Sequence, residues 1–458
     1  MKLAVLGGGG VRSPLLAKSI VNRAESLNIR QIVFMDDDGE KLRIYGGMAK
    51  RIAALIDDQI EFQFTTDPVE AVKDADFIIT TLRVGQDKGR TLDERIALNH
   101  GILGQETTGA GGFAMAMRSI PVLKEYCGLV KQHAKPGALV FNFTNPSGLV
   151  TQALRDEGFD NVYGICDGPS EFIKELEQLI GEKHEDVSIE CFGLNHLSWF
   201  RSVKVRGEET IEKIIENPLL YKNTEMRFFD PELVKDMGML LNGYLYYYYN
   251  REKAVENITK SGKTRGETIL EINRDMHRDL EGMDVEKDFD HAMEIYLKYY
   301  DKREKSYMAI ESGSARGETK KIMLDLGLKG VDDGGYAGVA LNFIESYITG
   351  KPCEMVLSVP NCGSMEELQD NDVIEVTCHI DKNGATPIKV GKVPDLQMNL
   401  IRQVKLFERL AVEAIKIRSI RKATEALMVH PLVNSYTLAK ELVREYIAAH
   451  GEFIGQWK

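Results

Sequence analysis

The sequence predicts an α/β protein in which a mostly parallel sheet occupies the first third of the chain. An apolar strand at residues 2–6 runs into four glycines, and apolar residues at helical spacing follow over 15–27. A second apolar strand ends in acid at 32–38, and further strand-like runs alternate with helical segments as far as residue 166. Alternation of this kind favours parallel strands, because each crossover is a helix.

The first of these elements have the order of a Rossmann unit: strand, glycine turn, helix, strand and acid. Gly7, Gly8 and Gly9 would let the backbone approach a pyrophosphate, and Asp36 would bind ribose hydroxyls. Arg12 stands at the third glycine position of the fingerprint, so the helix and strand should pack less closely there. A glycine cluster alone marks any tight turn, and the acid after the second strand is what favours a dinucleotide site.

Three later strand-like runs each end in polar or glycine residues. They are FIITTLRVG (77–85), ALVFNFTNPSG (138–148) and VYGIC (162–166). In open parallel sheets, ligands bind beyond the carboxyl ends of the strands. We therefore expect Arg83, Asn145 and the pair Cys166–Asp167 at one crevice, beside the cofactor.

After Pro169 the alternation fades, and the remaining chain is predicted to form one α+β substrate domain. The predicted domains are residues 1–168, Rossmann-type, and residues 169–458, α+β. The expected elements of the second domain are a helix at 170–181, two strands joined by an irregular elbow at 187–207, a helix at 238–250, strands at 354–364 and 373–385, and helices over 396–450.

Composition excludes several classes of function. The formal net charge of −12 over 458 residues argues against nucleic-acid or anionic-membrane binding, since both require basic surfaces. The apolar start is too short for a signal peptide, and no stretch approaches a membrane span. The six cysteines contain no CxxC pair, which is typical of reduced thiols. We expect a cytoplasmic protein.

Cys166 and Asp167 lie where an apolar run meets a Gly-Pro turn. Taken alone, Cys166 is more typical of a buried cysteine at a strand end, and His196, between apolar neighbours, of a core histidine. Together they would offer a thiolate and an imidazole to a divalent ion, with positions left open for substrate oxygens. Spacing alone leaves both interpretations open.

Other polar candidates are less specific. Tyr244 opens a run of tyrosines, most of which are expected to pack or to form an interface. Arg90 and Arg265 lie in polar segments, where an arginine is usually solvated or ion-paired. The cluster of Lys260, Lys263 and Arg265 in an acidic chain is a modest indication of phosphate binding.

The chain resembles the NAD- and metal-dependent family-4 glycoside hydrolases over nearly its whole length. The motifs that carry the resemblance are the N-terminal GGGG, RTLDERIALNHGILGQETTGAGGFAMAMRSIPV (90–122), NFTNPSG (142–148), GICDGP (164–169), GLNHLSWF (193–200), NGYLYYYY (242–249), SVPNCGSM (358–365) and MVHPLVNS (428–435). GQETTGAGG, NFTNPSG and GLNH together are highly specific.

Carried over by position, the resemblance implies a role for each candidate. Cys166 and His196 would hold Mn²⁺, or Co²⁺, Ni²⁺ or Fe²⁺; Gly7, Gly8, Gly9 and Asp36 would hold NAD; Tyr244 would be the base and Asp167 the acid; Arg90, Asn145 and Arg265 would bind the sugar and its 6-phosphate. It also implies oxidation at C3, removal of the C2 proton, elimination, water addition and re-reduction. Such enzymes are exceptions to the two-carboxylate rule of glycosidases.

The implied substrate is a 6-phospho-β-glucoside, such as a phosphorylated disaccharide or aryl glucoside. Asp167 is the residue that α-specific members often have after the metal-binding cysteine, so a 6-phospho-α-glucosidase is the alternative. A homodimer or homotetramer is expected from the family alone. An NAD-dependent hydroxy-acid dehydrogenase and a non-catalytic NAD-binding sensor are weaker alternatives, because neither explains Cys166, Asp167, His196 and Tyr244 together.

Overall fold

The computed structural model describes residues 1–313 and 337–458. Its strands, in chain order, are β1 Lys2–Leu6, β2 Gln31–Met35, β3 Glu61–Thr65, β4 Phe77–Thr80, β5 Leu139–Asn142, β6 Val162–Gly164, β7 Val187–Leu194, β8 Leu197–Val205, β9 Glu208–Glu209, β10 Leu240–Leu241, β11 Cys353–Pro360, β12 Val373–Asp381 and β13 Gly384–Pro387. The first six alternate with helices, as the sequence predicts.

The strands β1 to β6 form a parallel sheet in the order β3-β2-β1-β4-β5-β6. This is the order of a dinucleotide-binding Rossmann fold, whose crevice opens where the strand order reverses, between β1 and β4. The predicted α/β class with an N-terminal Rossmann-type sheet is confirmed. Both faces of the sheet are covered, so β1, β4 and β5 are buried throughout, and their sequences are apolar except for Lys2, Thr80 and Asn142 at the strand ends.

The helices flank and extend this sheet. They are α1 Ser13–Ala24, α2 Gly39–Lys41, α3 Gly47–Ile56, α4 Pro68–Val72, α5 Gln86–Asn99, α6 Gly109–His133, α7 Ser147–Asp156, α8 Asp167–Ile180, α9 Ile211–Ile215, α10 Leu220–Asn223, α11 Pro231–Met237, α12 Tyr246–Tyr249, α13 Arg251–Ser261, α14 Arg265–Leu280, α15 Phe289–Lys305, α16 Ala309–Ser312, α17 Gly338–Thr349, α18 Asp395–Ile417, α19 Ile420–Val429 and α20 Tyr436–Ile454. A π-helical turn, Leu42–Gly46, joins α2 to α3. Within the described ranges, no helix is both long and apolar enough to cross a membrane.

The sheet does not stop at the predicted domain boundary. Ser358 of β11 pairs with Gly164 of β6, and antiparallel strands continue outward in the order β11-β12-β7-β8-β10. The second part of the chain is therefore an α+β layer built onto the open edge of the Rossmann sheet. The division at residues 168 and 169 stays a prediction.

One predicted helix is shorter than expected. The aromatic segment 238–250 contains the short strand β10, a 3₁₀ turn at Gly243–Leu245 and only then α12. The pairing of Leu240 and Leu241 with Phe200 and Trp199 of β8 holds the start of the segment extended. A run of apolar and aromatic residues fits either a buried strand or a buried helix, so tertiary pairing decides between them.

Candidate active site

The glycine turn after β1 is built for close approach of backbone. The N–H groups of Gly7 and Gly8 both donate to the Met35 carbonyl, at 2.8 and 2.7 Å. Gly7 has φ +99°, which favours glycine, and a Cβ on Gly8 would lie 2.5 Å from the Cβ of Phe34. The turn therefore folds tightly onto the end of β2, and α1 begins just beyond it, where the start of a helix favours an anion.

Asp36 lies directly against this turn. Its Oδ2 accepts the Gly9 N–H at 3.0 Å and its Oδ1 accepts the Asp38 N–H at 3.1 Å. Burial raises the pKa of Asp36 to about 6, against the lowering effect of those N–H groups. Each carboxylate oxygen has a second acceptor position, so the side chain can also bind ribose hydroxyls.

Cys166 and His196 lie close together beyond the carboxyl ends of the parallel strands, as the glycine turn does. Cys166 ends the β6 segment and is the N-cap residue of α8, and its Sγ lies 3.6 Å from Nε2 of His196. Burial raises the pKa of the Cys166 thiol and the Asp167 and Glu375 charges raise it further, while the Gly168 N–H and the Asn195 side chain favour the thiolate. A thiolate here depends on a nearby cation.

The turn Asn195–His196 joins β7 to β8, where the sequence predicts an irregular elbow. His196 has φ +63°, a conformation more accessible to His, Asn and Asp than to most side chains. Burial lowers its pKa to about 4, so the imidazole is neutral and able to bind a metal. Its Nδ1 is buried and has no hydrogen-bond partner among the described residues.

Three polar groups that sequence reasoning missed support this turn. The Asn195 side chain donates to Glu375 Oε2 at 2.9 Å and accepts from the Gly148 N–H at 3.4 Å. Ser198 Oγ donates to Glu375 Oε1, also at 2.9 Å. Burial raises the pKa of Glu375 to about 7. The carboxyl lies on β12, about 180 residues from the turn it holds, so only the fold reveals the connection.

Tyr244 stacks flat on the His196 ring, with centroids 3.8 Å apart and planes 5° apart. Its position follows from the β10–β8 pairing and from Asn242, whose side chain accepts the Tyr244 N–H at 3.0 Å. Burial raises the pKa of Tyr244, the Cys166 charge raises it further, and the Arg265 charge opposes both. The predicted base therefore lies against the predicted metal ligand.

Arg90 lies in a buried network of arginines and acids. Its Nε donates to Glu94 at 2.8 Å and its Nη1 lies 3.1 Å from Glu106, which also pairs with Arg83. Burial alone would raise the pKa of Glu106, but Arg83 and Arg90 bring it down to about 2. Glu94 and Glu106 were not predicted, although Glu106 lies within the conspicuous GQETTG motif.

Arg265 is the first residue of α14, which a capping box between Thr264 and Glu267 begins. Its guanidinium lies over the Tyr307 ring at 4.9 Å, and its Nε is buried without a hydrogen-bond partner among the described residues. The next N–H, of Gly266, donates to Glu94 at 2.6 Å, which joins this helix to the Arg90 network. An arginine with donor capacity left is suited to an anionic ligand.

Asn145 lies between β5 and α7, and Asp167 is the first residue of α8, shortly after β6. Asn145 is half-buried, precedes the cis Pro146 and accepts the Ser147 N–H at 3.3 Å. Asp167 lies with Oδ1 4.0 Å from Cys166 Sγ and Oδ2 3.0 Å from Arg12 Nη1 of the glycine loop. The structure thus places Cys166, Asp167, His196 and Tyr244 in one cluster, and joins Asp167 to the glycine turn.

Two family models match the chain. "Family 4 glycosyl hydrolase" covers residues 2–182, and "Family 4 glycosyl hydrolase C-terminal domain" covers residues 191–433. Together they match most of the chain. The first match includes Cys166 and the second includes His196.

Individual relatives match from end to end. A 6-phospho-beta-glucosidase of Thermotoga maritima is 31% identical over 457 residues, covering 99% of each chain. A solved structure of the 6-phospho-beta glucosidase from that organism with manganese, NAD+ and glucose-6-phosphate has a TM-score of 0.81 at 30% identity, with 99% of each chain covered. A 6-phospho-alpha-glucosidase from gut microorganisms, in complex with NAD and glucose-6-phosphate, has a TM-score of 0.80 at 25% identity, covering 100% of this chain and 99% of that one.

Proposed function

The chain belongs to family 4 of the glycosyl hydrolases and is a glycosidase, and we propose that it hydrolyses 6-phospho-β-glucosides with NAD and a divalent cation. The observation that carries the proposal is a cluster of a thiol, a neutral imidazole and a tyrosine. It lies beyond the carboxyl ends of the parallel strands, where the glycine turn also lies. A hydroxy-acid dehydrogenase would use a histidine–aspartate relay and would have no need of a cysteine–histidine pair. The 6-phospho-β relatives are also more similar in sequence than the α-specific structure.

Cys166 and His196 fit a metal cation. Sγ of Cys166 and Nε2 of His196 are 3.6 Å apart, so one cation could contact both atoms. Among residues 1–313 and 337–458 no third His, Cys, Asp or Glu completes a ligand group, which leaves coordination positions for substrate oxygens. The thiolate favours softer ions than Mn²⁺, so Co²⁺, Ni²⁺ or Fe²⁺ should also bind.

The glycine turn and Asp36 fit a dinucleotide. A Cβ on Gly9 would lie 2.9 Å from the Asp36 carboxyl carbon, so glycine keeps open the space between turn and acid. With both groups bound, NAD supplies hydride exchange with the sugar and the cation stabilises negative charge on a sugar oxygen. Arg90, Asn145 and Arg265 would hold the sugar and its 6-phosphate, and the unused Arg265 Nε is the clearest donor for it.

The protein's own proton transfers fall to Tyr244 and Asp167. Tyr244 takes the proton from C2, and because burial raises its pKa it needs positive charge nearby, of which Arg265 supplies part. Asp167, one residue from the metal-binding thiol, donates a proton to the leaving oxygen or orients it. Water then adds at C1. Bound NAD would take one hydride from the sugar before these steps and give it back after them, so the sugar would end at its original oxidation level.

The second candidate is a 6-phospho-α-glucosidase with the same mechanism. The observation that favours it is Asp167 immediately after Cys166, with its carboxylate 4.0 Å from the sulfur. The two candidates differ in the anomer whose aglycone is expelled, so a pair of chromogenic substrates separates them.

The first test is release of 4-nitrophenol from 6-phospho-β- and 6-phospho-α-glucosides, with and without NAD⁺, Mn²⁺ and a thiol reductant. We expect turnover of the β anomer that requires both additions and yields no net NADH. Faster turnover of the α anomer would establish the second candidate. Turnover without NAD⁺, or net NADH formation, would contradict both.

Substitution of Arg265 tests the phosphate contact. Arg265→Ala should raise KM for the 6-phosphorylated substrate at least tenfold, because a charge-assisted contact is lost, and should change binding of the unphosphorylated glucoside little. Arg278→Ala is the matched control, since Arg278 lies in the last turn of the same helix and its side chain is exposed. Equal losses for the two substrates would contradict the assignment.

We also propose that the protein acts in the cytoplasm as a homodimer or homotetramer. The six cysteines are all free thiols, in keeping with a reducing compartment. Sedimentation of the purified chain measures the oligomeric state directly, and a monomer at micromolar concentration would contradict the second part of the proposal.

A further inference from the structure

Glu375 joins two hydrogen-bond chains that end at different parts of the site. It lies on β12 and is buried, and its two carboxyl oxygens accept from different donors. Oε2 accepts from the Asn195 side chain and Oε1 from the Ser198 hydroxyl, each at 2.9 Å. Asn195 immediately precedes His196, and Ser198 follows it by two residues. Glu375 therefore holds the elbow between β7 and β8 from both sides.

The first chain leads to the predicted metal ligands. The amide oxygen of Asn195 accepts the Gly148 N–H at 3.4 Å, so the amide is held at both its nitrogen and its oxygen. The same side chain is near enough to Cys166 to favour the thiolate. Because His196 is the next residue of a tight turn, fixing the Asn195 side chain also fixes the turn that presents the imidazole.

The second chain leads to the predicted base. The Ser198 hydroxyl donates its one proton to Glu375 and accepts from the Asn242 side chain at 3.2 Å. The amide oxygen of Asn242 accepts the Tyr244 N–H at 3.0 Å and so caps the 3₁₀ turn on which the tyrosine lies. The Asn242 backbone is held separately by the Ser198 carbonyl at 3.1 Å, so the chain through the hydroxyl sets the orientation of the Asn242 side chain.

Glu375 serves this elbow rather than the pairing of its own strand. The backbones of β12 and β7 already pair through Glu375–Gly193 and Val376–Phe192. No cation within residues 1–313 and 337–458 forms an ion pair with the Glu375 carboxyl, which is fully buried. Burying such a group costs free energy that an apolar side chain would avoid. The hydrogen bonds to the elbow are what an apolar side chain could not supply.

We propose that Glu375 is a positioning residue that fixes the metal ligand His196 and the base Tyr244 relative to each other, through the two hydrogen-bond chains. Ring stacking alone would let the imidazole and the phenol slide over each other. The shared carboxyl group ties the segment that carries each ring to one point on β12. The inference rests on the proposed function, because it takes His196 as a metal ligand and Tyr244 as the base.

The test compares Glu375→Met with Glu375→Gln in the full chain. Glu375→Met removes both acceptors, so the Kd for Mn²⁺, from calorimetric titration with MnCl₂ and a thiol reductant, should rise about tenfold. Exchange of the C2 proton of a 6-phospho-β-glucoside with solvent deuterium, in the presence of NAD⁺ and Mn²⁺, should slow about 10- to 100-fold.

Glu375→Gln separates the hydrogen bonds from the charge. The variant lacks the charge, but its amide can accept from Asn195 and donate to the Ser198 hydroxyl, which can accept as well as donate. Both the Kd for Mn²⁺ and the exchange rate should therefore stay within about threefold of wild type. Equal losses in Glu375→Gln and Glu375→Met would overturn the inference, since the charge and not the position would then explain them.

Two further variants each break one chain. Asn195→Ala should weaken Mn²⁺ binding by a larger factor than it slows C2 exchange, and Ser198→Ala should do the reverse. Adding Glu375→Met to Asn195→Ala should raise the Kd for Mn²⁺ by no more than about twofold, because that chain is already broken. General damage would multiply the two losses and overturn the inference. If Glu375→Met does not fold, the opposite orders of effect in the two single variants remain the test, and equal orders would overturn it.

Thr377→Val is the matched control. Thr377 lies two residues along the same strand, and its buried hydroxyl accepts the Cys191 N–H and donates to the Ile189 carbonyl, away from the elbow. It should leave both readouts near wild type. Wild-type values in Glu375→Met would overturn the inference alone. A wild-type chain that neither binds Mn²⁺ nor exchanges the C2 proton would overturn the proposed function, and this inference with it.

Discussion

The stacked pair of His196 and Tyr244 shows how single side chains combine at this site. The imidazole edge faces Cys166 while its flat face lies against the phenol ring, 3.8 Å away. Movement of the histidine would therefore displace both the sulfur contact and the tyrosine. Burial acts on both rings, keeping the imidazole neutral and the phenol protonated in the absence of a cation.

Replacing the thiol tests the metal assignment. Cys166→Ser should weaken Mn²⁺ binding at least tenfold and abolish turnover, because a buried hydroxyl is a far poorer ligand than a thiolate, while NAD⁺ binding persists. Titration with MnCl₂ and with NAD⁺ measures the two affinities separately. Cys362→Ser is the control, since that thiol is exposed. Full activity in Cys166→Ser would contradict the assignment.

Removing the phenol hydroxyl tests the base. Tyr244→Phe keeps the stacking on His196 but cannot accept a proton, so kcat should fall about 10²- to 10⁴-fold. Exchange of the C2 proton with solvent deuterium should slow by a similar factor. Tyr246→Phe, a buried member of the same run that packs on Phe229, should leave both rates near wild type. Unchanged exchange in Tyr244→Phe would exclude it as the base.

At the scale of elements, the sequence predicts those whose signal is local. The strand at 2–6 is confirmed to the residue, and the elbow at Asn195–His196 lies between β7 and β8 as expected. The sequence does not predict which residues contact that elbow. Glu375 lies inside the apolar strand β12, where nothing in the local pattern distinguishes a structural acid from a functional one.

The junction of α19 and α20 gives an element-scale prediction. His430 is buried between Phe407 and Tyr248, and its Nδ1 accepts the Leu432 N–H at 3.1 Å. Burial lowers its pKa from 6.5 to about 3, so the unfolded chain binds a proton there that the folded chain does not. The free energy of unfolding is therefore unaffected by His430 above pH 6.5. Between pH 6.5 and about pH 3 it falls by about 1.4 kcal/mol per pH unit, because the unfolded chain gains a proton.

Urea unfolding at pH 7.5 and pH 5 measures this effect. The control is His430→Gln, which does not titrate and keeps an acceptor for the Leu432 N–H. Between the two pH values the free energy of unfolding of the wild type should fall by about 2 kcal/mol more than that of His430→Gln. An identical pH dependence in the two proteins would show that His430 is protonated without cost when folded.

Across the whole molecule, the first and last parts of the chain share one buried charge network. Arg118 of α6 makes two hydrogen bonds to Asp93 of α5, at 2.7 and 2.6 Å. His450 of α20 contacts the same carboxylate at 2.7 Å, and the Tyr446 hydroxyl donates to the Asp93 carbonyl. The C-terminal helix is thereby fixed to the loop that carries Arg83, since Arg118 also binds the Val84 carbonyl.

Breaking this network should destabilise the entire chain. Asp93→Asn leaves the Arg118 charge buried without its counter-ion and should lower the free energy of unfolding by about 3–5 kcal/mol. Thermal unfolding followed by near- and far-ultraviolet circular dichroism should remain one coincident transition at a lower midpoint. Asp186→Asn, at the exposed Arg206 pair, should leave the midpoint unchanged. Two separate transitions would mean that the halves unfold independently.

The sequence predicts two folding regions but not how they join. Residues 353–360 carry an ordinary strand pattern, and periodicity does not say which edge such a strand will pair with. The open edge of β6 decides this, because an unpaired edge exposes a row of hydrogen-bonding groups that β11 covers. The antiparallel layer that results brings His196 to Cys166, so the long-range pairing that local patterns miss is also what assembles the site.

The left-handed backbone at His196 restricts how this protein can change through evolution. With φ +63° at the tip of a hairpin, only a few residue types are tolerated without strain, and among them His, Asp and Asn carry a donor atom for a metal. Cysteine at this position would adopt a left-handed conformation that is uncommon for it, although Cys362 of the same chain has φ +46°. If His196 binds the cation as we propose, chain geometry narrows the side chains that could replace it, and the oxygen donors of Asp and Asn are the easiest substitutes.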